Sequence, residues 1–218
     1  MLALLHTAHV HVASFARLAR ELDPSIPIRH EVRADLLADT VAGGTLTEAV
    51  RSGIADTIQR LAHEGAKVIV CTCSTIGGAA EAVPIPSPIR VLRIDRPMAE
   101  QAVGSNRRIL LCAALRSTFA PTLALLREVA TRSTGSLDVV EVFCEGAWPH
   151  FERGDHAAYY REVALTIESM ARPTDLVLLA QASMAPVAEL VAHLNIPVLS
   201  SPKLGLERAM SLHRTLSQ

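Results

Sequence analysis

Aromatic side chains are scarce in this sequence: phenylalanine, tyrosine and tryptophan together make up 3% of it. Proteins that hold single-stranded nucleic acid stack bases on aromatic rings, so that class is disfavoured at once. Excess positive charge is also missing. Lys and Arg number 21 against 22 Asp and Glu, for a formal net charge of −1. With no Lys/Arg cluster there is no electrostatic footprint for a phosphate backbone, and no nucleic-acid partner is expected. Cysteine is limited to Cys71, Cys73, Cys112 and Cys144, none in a CxxC unit. A chain of 218 residues that is 50% hydrophobic supports its own core and needs no disulfide framework. No apolar run approaches the ~20 residues of a membrane span. Met1-Leu2-Ala3-Leu4-Leu5 is apolar, but it lacks a basic leader and His6, His9 and His11 follow, so it is not read as a signal peptide. The expectation is a cytoplasmic protein with no membrane partner.

What is present is a regular alternation of short apolar runs with helical periodicity. The most informative stretch is Val68-Ile69-Val70-Cys71-Thr72-Cys73-Ser74-Thr75-Ile76-Gly77-Gly78. It begins as a β-branched buried strand and ends in thiol, hydroxyls and glycines. Ligands of open α/β sheets bind at such carboxyl ends. A thiol there is a candidate nucleophile or proton carrier, and Ser74 and Thr75 are candidate donors to an anion. Further strands are expected at Leu2–His6, Ile26–Val32, Ile89–Ile94, Arg108–Leu115, Leu137–Phe143, Leu176–Ala180 and Ile196–Leu199. Helices are expected at His11–Leu22, Thr45–Glu64, Pro97–Val103, Pro121–Ala130, Asp155–Ala171, Pro186–Leu194 and Gly205–Leu216. Ala34–Gly44 reads as a loop with a short helical turn, Ala79–Ala82 as one short turn, and the Trp148–His150 region as a loop that lines a cleft or is simply exposed.

Strands alternating with helices imply parallel βαβ units, hence the α/β class. An internal echo refines this. Leu2–Thr7 and Ile109–Leu115 are both strands with polar ends, and roughly 65 to 70 residues later each is followed by another, Cys73-Ser74-Thr75 in one case and Gln181-Ala182-Ser183 in the other. The expected architecture is two pseudo-symmetric Rossmann-like parallel-sheet halves with an interdomain cleft. Their expected extents are 1–95 plus 200–218, and 96–199.

At these residues the chain resembles the aspartate/glutamate/hydantoin racemase superfamily. The likeness rests on Val68 through Thr75, similar to the family's strand ending in Cys-Asn-Thr. It also rests on Leu178-Leu179-Ala180-Gln181-Ala182-Ser183-Met184, at the place of its second strand ending in Gly-Cys-Thr. The resemblance implies paired cysteines on opposite faces of a carboxylate substrate, one removing the α-proton and the other delivering one, with no metal and no organic cofactor. It also implies a homodimer. Carried over, Cys73 falls on the first cysteine and Gln181 on the second. Glutamine carries no usable proton. Leu5-His6-Thr7-Ala8 stands where the family ends its first strand in an acidic residue plus Ser or Thr. A one-thiol mechanism, as in the superfamily's decarboxylases and cis–trans isomerases, therefore fits better than two-base racemisation.

The resulting expectation is a cofactor-independent isomerase or lyase acting at the α-carbon of a small carboxylate. Cys73 is the catalytic thiol and His6 the candidate second acid/base. Thr7, Ser74, Thr75, Ser117, Thr118, Gln181 and Ser183 are candidate substrate-binding residues. Other readings stand beside these. Cys73 could be a core cysteine, while Thr118 and Ser183 could be plain helix caps ahead of Pro121 and Pro186. Cys71 and Cys73 could form a redox pair, or a metal pair with His6, His9 and His11. The whole could be a non-catalytic carboxylate-binding protein. Cys71, Cys112 and Cys144 are otherwise expected to be core residues.

Overall fold

The computed structural model describes residues 1–105, 107–132, 137–173 and 175–217. Positions 106, 133–136, 174 and 218 fall within the two expected halves and lie outside the described residues. The chain divides into two compact units. One is Met1–Arg96 with the chain from Pro202 onward, and the other is Pro97–Ser201.

The first unit is a four-stranded parallel sheet of β1 (Leu2–His6), β2 (Ile28–Val32), β3 (Val68–Cys71) and β4 (Arg90–Arg93), in the order β2-β1-β3-β4. The central strands β1 and β3 are buried along their whole length, as continuous apolar runs in a doubly covered parallel sheet should be. The sheet carries α1 (Val10–Leu22), α2 (Ala34–Gly43), α3 (Glu48–His63) and α4 (Ser74–Glu81). In α3, Val50, Ile54, Thr57, Ile58 and Leu61 are buried on one stripe. Thr47 starts the helix by accepting the Val50 N–H at 3.3 Å.

Two elements differ from expectation. The segment read as a loop is helix α2. Leu36 and Thr40, one turn apart, are its buried residues, and Gly44 at φ +66° stops it. So few core contacts leave little periodicity to read. Helix α4 begins five residues before the expected turn and runs through Gly77 and Gly78. A Cβ on Gly77 would lie 3.1 Å from Cβ of Arg93, and one on Gly78 3.3 Å from Arg93 Nη1. The glycines leave room for a side chain of β4, so packing outweighs their poor helix propensity.

The second unit repeats the topology. Its strands β5 (Ile109–Ala113), β6 (Val139–Phe143), β7 (Leu176–Leu179) and β8 (Val198–Ser200) are parallel and ordered β6-β5-β7-β8. Its helices are α5 (Arg96–Gly104), α6 (Phe119–Ala130), α7 (Ala147–Glu152), α8 (His156–Met170) and α9 (Val187–Leu190). Tyr159, Val163 and Ile167 of α8 pack on Leu110, Cys112, Val177 and Leu179. Arg108, just before β5, clamps Asp175, just before β7, with bonds of 2.8 and 2.7 Å. Cys112 and Cys144 are buried core residues, and burial pushes the Cys144 thiol up to about 12. The expected loop at Trp148 is helix α7, where Trp148 stacks on Phe151 with ring centroids 4.8 Å apart. The expected single helix over Pro186–Leu194 is split into α9 and a 3-10 turn at Ala192–Leu194. Finally α10 (Ser201–Thr215) returns the chain to the first unit. No described helix is long and apolar enough to cross a membrane.

Candidate functional site

In each sheet the chain order reverses between the two central strands, and the carboxyl ends at such a reversal are where open α/β sheets generally bind ligands. In the first unit this edge brings together His6 at the end of β1 and Thr7 after it, Thr72 to Thr75 after β3, and Arg93 to Asp95 at the end of β4 and just beyond.

Cys73 has extended backbone (φ −107°, ψ 117°) and stands at the N-cap of α4. It is half-buried and packs at the margin of the apolar cluster, unlike Cys71, which is sealed beneath it. Its side chain makes no capping bond, and the first turn of α4 contains no acidic residue. The N-terminus of a helix carries about half a positive charge and attracts anions. Ser74 and Thr75 are buried in that first turn. Thr7 is nearly buried, and its hydroxyl makes no hydrogen bond among the described residues.

His6 has no exposed surface. Its Nδ1 lies 2.8 Å from Thr72 Oγ1 and its Nε2 lies 2.9 Å from His30 Nδ1. Burial, with His11 and His30 nearby, lowers its pKa to about 3. Both ring nitrogens are already engaged, so neither is left to exchange a proton with a ligand. The geometry makes His6 a structural tie between β1, β2 and β3.

In the second unit, the ladders place Gln181 at the register position of Cys73. Leu5 pairs with Cys71 and Cys112 with Leu179, and each residue of interest lies two positions further on. Gln181 Oε1 accepts the Ala114 N–H at 2.6 Å and the Leu115 N–H at 3.2 Å. These bonds hold the carboxamide across the ends of β5 and β7. Its Nε2 has no partner among the described residues. Ser117 Oγ is buried without a hydrogen-bond partner among the described residues, and Thr118 stands at the head of α6. Ser183 is different. Its hydroxyl is 2.8 Å from the Tyr159 hydroxyl inside the core, so it serves packing in that unit.

Two arginines at strand ends were not singled out from sequence. Arg93 pairs with Asp95 through bonds of 2.6 and 2.9 Å, with side chains 5% and 0% exposed, and its guanidinium lies over Gly77 and Gly78. It therefore sets where α4, and hence Cys73, can sit. Arg116 lies 4.0 Å above the Phe143 ring, beside Ser117. The available signal was a lone charge at the end of an apolar strand.

Among the described residues, no group of three or more His, Cys, Asp or Glu is arranged to hold a metal, so Cys71, Cys73, His6, His9 and His11 do not form one. All four cysteines are free thiols. The Cys71 thiol donates to the Cys73 carbonyl at 3.5 Å, and burial raises its pKa. Trp148 and Phe151 pack on the core of the second unit, while His150 contacts Arg153 at 3.2 Å.

No protein-family model matches the chain, and no curated protein does. Solved structures do match. A glutamate racemase from Thermus thermophilus superimposes with a TM-score of 0.71 at 16% identity, over 99% of this chain and 81% of that one. An aspartate racemase from Picrophilus torridus gives 0.70 at 16%, over 100% and 94%. An allantoin racemase from Klebsiella pneumoniae gives 0.63 at 14%, over 98% and 87%. The chain shares its fold with these glutamate, aspartate and allantoin racemases.

Proposed function

We propose that this protein is a cofactor-independent isomerase or lyase that acts at the α-carbon of a small carboxylate through the single thiol of Cys73. One observation carries the reading. The position at the head of α4 holds a half-buried cysteine, while its register equivalent in the other unit holds Gln181, which has no proton to give. As a thiolate, Cys73 takes the α-proton, and an enediolate forms on the carboxylate. The positive end of α4, in whose first turn Ser74 and Thr75 lie, stabilises that charge. Thr7, Ser74 and Thr75 bind the carboxylate. The same binding role is proposed for Ser117, Thr118 and the Nε2 of Gln181, on the family resemblance. With one thiol, a proton taken from the α-carbon returns to the face it left, which gives solvent exchange without inversion; net turnover follows where CO₂ leaves the α-carbon instead and the Cys73 thiol protonates the resulting enediolate. The protein acts as a homodimer in the cytoplasm.

The test is α-deuterium incorporation in D₂O, followed by NMR on L- and D-aspartate, L- and D-glutamate and a panel of small dicarboxylates. The wild type is expected to exchange or convert one of these without inverting it. Cys73→Ala should lower that rate at least ~10³-fold with an unchanged circular dichroism spectrum. Gln181→Cys should add inversion. Rapid inversion by the wild type, or full activity in Cys73→Ala, would refute the one-thiol mechanism.

A further inference from the structure

The outer face of α8 mixes exposed apolar side chains with the charged Arg161 and Glu168. Leu165 is 52% exposed and Leu190 of α9 is 50% exposed. They border a groove of about 430 Å³ whose α8 lining includes the small residues Ala157 and Ala164. Single exposed leucines are ordinary, but two around one concavity, with Tyr160 also in its lining and Ala164 at its buried floor, form a patch. Positions 157, 161, 164 and 168 follow the 4-3-4 spacing of a seam along which a second helix packs. The two charges on this seam are opposite. Arg161 makes no ion pair among the described residues, and Glu168 touches the exposed His193 at 3.4 Å.

We propose that this face is where two copies of the chain meet, with α8 packed antiparallel on α8 about a two-fold axis. Residues 161 and 168 lie symmetrically about the point between Ala164 and Leu165. An axis there sets Arg161 of each copy against Glu168 of the other, giving two identical ion pairs, as an isologous interface requires. A parallel arrangement would set Arg161 against Arg161. Ala157 and Ala164 let the helix axes approach, and Leu165 and Leu190 enter the opposing groove. This rests on the homodimer reading alone and not on the chemistry of Cys73.

Sedimentation velocity on the full chain, from about 1 to 100 µM, tests it. The wild type is expected to be a dimer. Leu165→Asp, which changes an exposed side chain, should leave a folded monomer. Arg161→Glu and Glu168→Arg should each raise the dimer dissociation constant about tenfold or more, because like charges then face each other. The double variant should recover most of the wild-type value. A dimer insensitive to all of these overturns the interface and leaves the homodimer standing. A wild type that is monomeric throughout overturns both, and leaves the groove to a different protein or to a small ligand.

Discussion

His6 shows how one residue sets the pH range of this fold. Its ring is buried, each nitrogen is bonded, and its pKa is lowered to about 3. In the unfolded chain the same ring titrates near 6.5. Between these values the unfolded state binds a proton that the folded state does not, so stability falls as pH falls through that window. At pH 5 the His6 contribution to this loss is about 2 kcal/mol. His30 is lowered too, by burial, and acts in the same direction. His11 and Phe15 are the other rings facing His6, and neither carries a negative charge that would favour imidazolium. The urea midpoint should therefore drop from pH 7 to pH 5, and the drop should be clearly smaller in His6→Gln. An equal drop in that variant would locate the titration elsewhere.

At the scale of elements, the unexpected helix boundaries have packing causes. Helix α10 begins four residues before Gly205 and carries that glycine inside it. A Cβ at Gly205 would come within 2.3 Å of the Ile94 carbonyl oxygen, so the backbones are in near contact there. Gly205→Ala should destabilise the protein by about 3 kcal/mol or more, because backbone rather than a flexible side chain must move. Gly104→Ala is the control. It lies in α5 with nothing within 4 Å, and the change should be neutral or slightly stabilising. Thermal melts of the two variants check the contrast, and similar melting temperatures would mean that α10 shifts freely.

For the whole molecule, the two units repeat one strand order, each with its own apolar core. In each sheet the central pair, β1 with β3 and β5 with β7, is paired on both sides and almost fully buried, while the outer strands β2, β4, β6 and β8 are partly exposed. Amides of the central four strands should exchange with deuterium slowest. Hydrogen-exchange mass spectrometry reads this directly. Equal protection in the outer strands would show that opening in each unit is not graded from its edges.

The sequence by itself determined the class of the fold and the position of the candidate thiol. Runs such as Val68 to Cys71 are apolar enough to require burial on both faces, and a strand ending in Cys73-Ser74-Thr75 followed by glycines marks itself locally. The echo at Gln181 was legible for the same reason, since strand and polar end are neighbours in sequence. What each polar group does was decided only by tertiary structure. Ser183 and Tyr159 are 24 residues apart in sequence, His6 and Thr72 are 66 apart, and Gln181 and Ala114 are 67 apart, yet each pair is hydrogen-bonded. A hydroxyl or imidazole looks the same in sequence whether it meets a ligand or a partner from a distant strand. Strand register and burial make that choice, and they also place Arg93 over Gly77 and Gly78, where an added Cβ would crowd it.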